Sequence, residues 1–279
     1  MPRASINGVE LYYEETGSGF PLIFVHEFAG DMQAWEPQVR YFSRRYRVIT
    51  YNQRGYPPSS VPPDEAAYSH DELIEDLHQL VRHLKIGQAH IGGLATGGNV
   101  ALNFGIRHPE LVGGLIVAGA GAGTADRENW LAAADRFADD IARDGAAGIV
   151  ANVAEAPQRM IFKVKDPRGW DRFVAGMEAL SPVGCQHMMR NALMNRTPIF
   201  DLEAELAELA RPTLVMVGDQ DEPAFAASRF ICRHAPHAGM LVLPMCGHTL
   251  NVEEPDLFNR LSGEFLAAVD AGRWGSWCP

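Results

Sequence analysis

Short runs of β-branched and apolar residues recur along this 279-residue chain, separated by segments whose apolar positions repeat every three or four residues. Segments 22–25 (LIFV), 47–51 (RVITY), 89–91 (AHI), 114–117 (GLIV), 213–217 (TLVMV) and 240–243 (MLVL) are short and nearly continuous in apolar character, which predicts strands buried on both faces. The opening run 9–15 follows Asn7-Gly8, a dipeptide suited to a tight hairpin, so the chain should begin with an antiparallel pair. Between the strands lie helices. Leu73, Leu77, Leu80, Val81 and Leu84 make one apolar stripe and predict a helix over 70–84 that packs on the sheet. A second helix is predicted over 98–107, ending before His108-Pro109, because proline disfavours helical backbone in the residue before it.

From about 124 to 201 the alternation stops. The chain becomes rich in Ala, Asp and Met at helical spacing, with breakers at Pro157, Pro167, Pro182 and Pro198. Lying between a strand that ends near 118 and another that starts at 212, this stretch predicts a helical insertion over the strand ends, where open α/β sheets bind ligands. The organisation expected is a βα core from 1–123 and 202–279 with a helical lid from 124–201. No internal repeat or low-complexity tract interrupts it.

Composition narrows the function classes. A formal net charge of −11, with 24 scattered Lys and Arg, argues against nucleic acid or an anionic membrane as partner. The first residues lack a signal-peptide core, and no segment approaches the roughly 18 apolar residues of a membrane span, so a soluble, cytoplasmic protein is expected. Homodimerisation is the candidate protein association. Cys185, Cys232, Cys246 and Cys278 are far apart without a C-x-x-C pair and read as reduced, structural thiols. Neither a metal nor a cofactor is expected.

The candidate chemistry lies in four places. Residues 91–99, IGGLATGGN, match the G-x-S-x-G turn in which a strand enters a helix so tightly that glycines must flank the central residue, except that this residue is Ala95. Upstream, Phe24-Val25-His26-Glu27-Phe28-Ala29-Gly30 follows a strand, with His26 read as a packing residue. Downstream, Val217-Gly218-Asp219-Gln220-Asp221 is an acidic turn at a strand end. Last comes Pro244-Met245-Cys246-Gly247-His248, where a Gly-His step puts an imidazole on a loop suited to general base and acid work.

In that order the four pieces resemble the oxyanion loop, nucleophile, acid and histidine of an α/β-hydrolase fold enzyme with a helical lid, over about residues 7–269. The features of the lid and late strand are similar to small esterases, enol-lactone hydrolases, carbon–carbon bond hydrolases and cofactor-free haloperoxidases. The resemblance implies a mostly parallel eight-stranded sheet flanked by helices. It also implies oxyanion-hole amides at Phe28 and Thr96, the nucleophile position at Ala95, the acid at Asp221 with Asp219 as runner-up, and the base at His248. Two further departures from the pattern are Glu27, where glycine is usual, and Asn52 at the head of Asn52-Gln53-Arg54-Gly55-Tyr56, where Asp is usual; the second should alter loop anchoring rather than chemistry.

Three readings of Ala95 follow. The chain is a serine hydrolase whose nucleophile was replaced by alanine, a natural relative using His248 and Asp221 as a cofactor-free lyase or oxygenase, or a non-catalytic ligand binder. An intact supporting set around one absent oxygen favours the first. The expected substrate is a small apolar or aromatic carboxylic ester or lactone, with Glu27, Met160, Trp170, Met188 and Met189 as candidate contacts. Arg159, Arg190 and Arg196 could grip a carboxylate, although solvated surface positions are the default expectation for each.

Overall fold

Asn7 and Gly8 both adopt positive φ, 44° and 74°, the backbone of a two-residue hairpin turn. They join β1 (Arg3–Ile6) to β2 (Val9–Thr16) in the computed structural model, which describes residues 2–275. The six predicted buried runs are strands as well: β3 (Phe20–Val25), β4 (Tyr46–Tyr51), β5 (Ala89–Leu94), β6 (Val112–Ala118), β7 (Thr213–Gly218) and β8 (Ala238–Leu243). One eight-stranded sheet runs in the order β1-β2-β4-β3-β5-β6-β7-β8. It is antiparallel at β1, β2 and β4 and parallel from β4 onward. β5 and β7 are buried along their whole length, as strands covered by helices on both faces must be.

The helix His70–His83 shows how local sequence sets an element. Ser69 caps its first turn by accepting the Glu72 N–H at 3.0 Å, and Leu73, Leu77, Leu80 and Val81 are buried against the core. The turn after β5 is decided by closer packing. Its helix starts at Thr96, earlier than the glycines suggested, and runs to Arg107. A Cβ on Gly97 would lie 2.0 Å from the Val25 carbonyl oxygen, one on Gly93 2.1 Å from the Gly97 oxygen, and one on Gly98 2.9 Å from the Ala118 oxygen. Bare backbone thus lets the first helical turn wedge between the ends of β3 and β6. Ala95 sits at the point of the wedge with φ 51° and ψ −110°, a region that side chains rarely enter. Its N–H donates to the Ala118 carbonyl at 2.8 Å and its carbonyl accepts from the Asn99 N–H at 3.0 Å.

Between β6 and β7 the chain forms helices Arg127–Asp144, Ala146–Ala154, Pro157–Lys165, Pro167–Glu178 and Pro182–His187, then a wide helical turn over Met188–Leu193. Pro157, Pro167 and Pro182 begin helices rather than merely ending them, because a first-turn residue has no intrahelical use for its N–H. One buried ion pair ties this insertion to the sheet. Arg159 meets both carboxylate oxygens of Glu27, one at 3.3 Å, with the two side chains 7% and 2% exposed. Burial alone would push the Glu27 carboxyl up, but the Arg159 guanidinium more than reverses this and holds it below the ordinary glutamate value. A second buried pair, Arg54 with Asp76 at 2.6 and 2.7 Å, secures the loop after β4. Asn52 anchors the same loop as an amide can, accepting from Met32 N–H at 2.9 Å and donating to the Pro57 carbonyl at 2.6 Å. Among the described residues no helix is long and apolar enough to cross a membrane.

Three substitutions test this packing in urea denaturation. Ala95→Gly should stabilise the protein by about 1 kcal/mol, since glycine adopts this backbone without strain. Gly97→Ala should cost several kcal/mol or prevent folding, because the close approach is to backbone that cannot move aside. Glu27→Gln leaves a buried guanidinium without its counter-charge and should cost about 3–5 kcal/mol at pH 7. Because the folded carboxyl is depressed, the stability it contributes is complete above the unfolded value of about 4.3 and is lost as pH falls below that. Denaturation from pH 7 to 3 should therefore show this acid-side loss in the unmodified chain and less of it in Glu27→Gln.

Candidate active site

The loop after β8 is held by four contacts that together aim His248. A Cβ on Gly247 would lie 2.1 Å from the Gln158 carbonyl oxygen, and one on Gly218 2.2 Å from that of Cys246, so both glycines permit close backbone approach. The Gly247 N–H donates to both carboxylate oxygens of Glu253 at 3.0 Å. The His248 N–H donates to the Gln158 carbonyl at 2.9 Å, which fastens the histidine loop to the helical insertion.

Asp221 immediately precedes the helix Glu222–His234 and is fully buried. Its Oδ2 lies 2.7 Å from Nδ1 of His248, while Oδ1 has no hydrogen-bond partner among the described residues. Asp219 points elsewhere. It is exposed and accepts the Cys246 N–H at 3.1 Å, and hydrogen bonds from the Met245 and Cys246 backbone hold its carboxyl below the usual range. The two acids of the turn are thereby distinguished: Asp221 meets the imidazole and Asp219 steadies the loop that carries it.

A cavity of about 320 Å³ opens beside the imidazole, and Phe28, Ala95, Thr96 and His248 all line it. Neither the Phe28 nor the Thr96 backbone N–H makes a hydrogen bond within the described residues. The loop carrying Phe28 is fixed by Tyr56, whose hydroxyl donates to the Phe28 carbonyl at 2.9 Å. His26 is buried beneath it, with Nδ1 2.7 Å from the Glu27 carbonyl oxygen and Nε2 accepting the Gln53 N–H at 3.0 Å. Burial lowers its pKa, in keeping with a neutral ring. A larger cleft of about 600 Å³ runs between residues 29–40, which include the start of the helix Glu36–Phe42, and the helix around Phe173, and contains none of Ala95, Thr96 and His248.

The candidate substrate contacts separate. Met189 and Glu27 line the cavity, the latter with its carboxylate engaged by Arg159. Met160, Trp170 and Met188 do not. Met160 is half-buried on the helix Pro157–Lys165, Trp170 packs edge-on against Phe162 with ring centres 5.7 Å apart, and Met188 is fully buried in the main core. Helical spacing marks an inward face without saying whether that face meets a ligand or another helix. Arg159 and Arg196, expected at the surface, are buried and line the cavity, whereas Arg190 sits in a surface pair with Asp135 and Asp139. Trp130, Phe137 and Leu193 complete the apolar wall without any distinguishing sequence signal. One gathering of metal-type donors occurs among the described residues, Glu75, His78 and His108, and it lies outside the cavity. Cys246 is buried and its thiol pushed up by burial; Cys278 lies outside the described residues.

Comparison with known proteins places this arrangement. The chain is 28% identical over 248 residues to 3-oxoadipate enol-lactonase 2 of Acinetobacter baylyi, covering 85% of each protein. Among solved structures it superposes on a thermophilic esterase from Thermogutta terrifontis, determined with malate bound, with TM-score 0.84 and 26% identity over 96% of this chain and 99% of that one. It also superposes on the enol-lactonase of Burkholderia xenovorans LB400 with TM-score 0.82, at 23% identity over 95% of this chain and all of that one, a likeness of fold. The family model for the alpha/beta hydrolase fold matches residues 21–255. With this match, the mostly parallel eight-stranded sheet and its order of strands, the chain belongs to the α/β hydrolase fold family.

Proposed function

We propose that this chain carries the apparatus of a serine hydrolase acting on a small carboxylic ester or lactone with an apolar or aromatic portion, and that Ala95 stands where the nucleophilic serine belongs. The observation that carries this reading is the buried Asp221–His248 contact of 2.7 Å, with its imidazole on the same cavity as Ala95 and the unengaged amides of Phe28 and Thr96. The enol-lactonase and esterase relatives support hydrolysis as the reaction class.

With serine at position 95, the Asp221 carboxylate accepts a hydrogen bond from the Nδ1–H of His248, which keeps the proton on Nδ1 and leaves Nε2 free as the base. Nε2 takes the hydroxyl proton as Oγ adds to the ester carbonyl, forming a tetrahedral intermediate whose oxyanion is held by the two amides. The protonated imidazole then gives its proton to the departing alkoxide, and an acyl-enzyme remains. Water, deprotonated by the same nitrogen, releases the acid and restores the serine. A methyl group has no lone pair to donate, so the alanine chain binds substrate and closes the covalent route. The apolar wall of Trp130, Phe137, Val153, Met189 and Leu193 supports an apolar or aromatic portion of the substrate.

Ala95→Ser should raise kcat/KM for 4-nitrophenyl butyrate by about a million-fold over the alanine chain. In the Ala95→Ser background, His248→Ala should remove most of that gain and Asp221→Asn should lower kcat about 10⁴-fold. A well-folded Ala95→Ser protein with no gain in hydrolysis would overturn the serine-hydrolase reading in favour of a binder or a serine-less catalyst.

A further inference from the structure

Three arginines are buried among the described residues, and two have acids to match. Arg54 is paired with Asp76 and Glu72, and Arg159 with Glu27. Arg196, 6% exposed, forms no ion pair among the described residues. One Nη2 hydrogen donates to the Ala122 carbonyl, and no other N–H of the guanidinium makes a hydrogen bond within the described residues. The group lies over the Trp130 ring at 5.5 Å from its centre, and a second guanidinium, that of Arg127, lies over the same ring at 5.3 Å. Arg127 brings no relief, since its donors go to the carbonyls of Gly123, Met194 and Arg196.

An unpaired buried cation is costly to keep. Burial, with Arg127 adding to it, pushes the Arg196 pKa down to about 10, which still leaves the group charged at neutral pH. Arg196 and Trp130 line the cavity that holds Ala95 and His248. The other cation on that cavity, Arg159, is neutralised by Glu27, so Arg196 supplies the uncompensated positive charge facing the ligand space.

We propose that Arg196 anchors a carboxylate carried by the substrate, which makes the substrate an ester or lactone of a small dicarboxylic acid rather than a neutral ester. This rests on the hydrolase reading of the cavity and narrows it. The guanidinium fork suits a planar carboxylate, and the Trp130 ring, 5.5 Å from it, lines the same cavity. The anion would replace the acid that this arginine lacks, so binding energy comes from pairing a charge already desolvated in the folded protein.

Arg196 also borders a small polar recess lined by His70, Arg107 and Asn191, and the test separates the two faces. Calorimetric titration of the unmodified chain with glutarate and adipate should show binding that weakens about 30-fold or more in Arg196→Gln and less in Arg196→Lys; dimethyl adipate should show no such dependence. In the Ala95→Ser enzyme, both dicarboxylates should inhibit 4-nitrophenyl butyrate hydrolysis competitively, whereas occupation of the outer recess would give non-competitive inhibition or none and overturn the assignment. The ratio of kcat/KM for the mono-4-nitrophenyl ester of glutarate to that for 4-nitrophenyl butyrate should fall at least 30-fold on Arg196→Gln and recover in part with lysine. An unchanged ratio, or no dicarboxylate binding by the unmodified chain, sinks the proposal. If Ala95→Ser hydrolyses neither ester, the hydrolase reading fails, and the titration still decides the role of Arg196.

Discussion

Everything at the carboxyl edge of the sheet depends on how closely the helix after β5 can approach the ends of β3 and β6. The approach is made backbone to backbone: the Gly97 position lies so near the Val25 carbonyl that a single methyl would collide with it. That contact fixes the start of the helix, and the start of the helix fixes Ala95 in a conformation that an ordinary turn would not hold. The Thr96 amide is left pointing outward without an intrahelical partner, as first-turn amides are. The loop after β3 supplies the second amide from the strand that the helix wedges against, so the two donors share one rigid frame.

Charge is distributed around this frame with a clear asymmetry. Glu27 and Arg159 neutralise each other inside the cavity wall, and their pairing joins the helical insertion to the β3 loop. The glutamate in place of the usual small residue is therefore explained by the arginine that crosses from the insertion to meet it. Gln158, the residue before that arginine, holds the His248 loop through its carbonyl. Adjacent positions of one helix thus set both the wall of the cavity and the position of the imidazole. Arg196 stands outside this compensation, cationic and desolvated, with an aromatic face and a carbonyl as neighbours. A folded protein tolerates such a group where an anion completes it.

The contrast between Asp219 and Asp221 shows what a turn can decide and what its letters cannot. Both are acids two positions apart at the end of β7. One faces solvent and accepts a loop amide; the other precedes a helix and turns inward to the histidine. The residues of the helical insertion show the opposite limit. Met160, Trp170, Met188 and Met189 read alike as apolar residues of helical segments, yet of the four only Met189 lines the cavity; it is buried in the same core cluster as Met188, and successive residues of the wide turn over Met188–Leu193 point in different directions, so one of the two reaches the cavity and the other does not.

By itself the sequence determined the strands, since continuous apolar runs can be satisfied only between covering layers, and the opening hairpin, whose Asn-Gly pair demands positive φ. It determined the order of the β3 loop, Ala95, Asp221 and His248 along the chain, because glycines and polar residues at strand ends leave a local signature. Only the tertiary structure decided which arginines are buried, which acid each one meets and which is left without one. Those outcomes depend on partners set by the fold rather than by local sequence, such as Glu27 with Arg159, 132 positions apart, and a guanidinium reads the same in a sequence whether water, a carboxylate or a cavity lies beyond it.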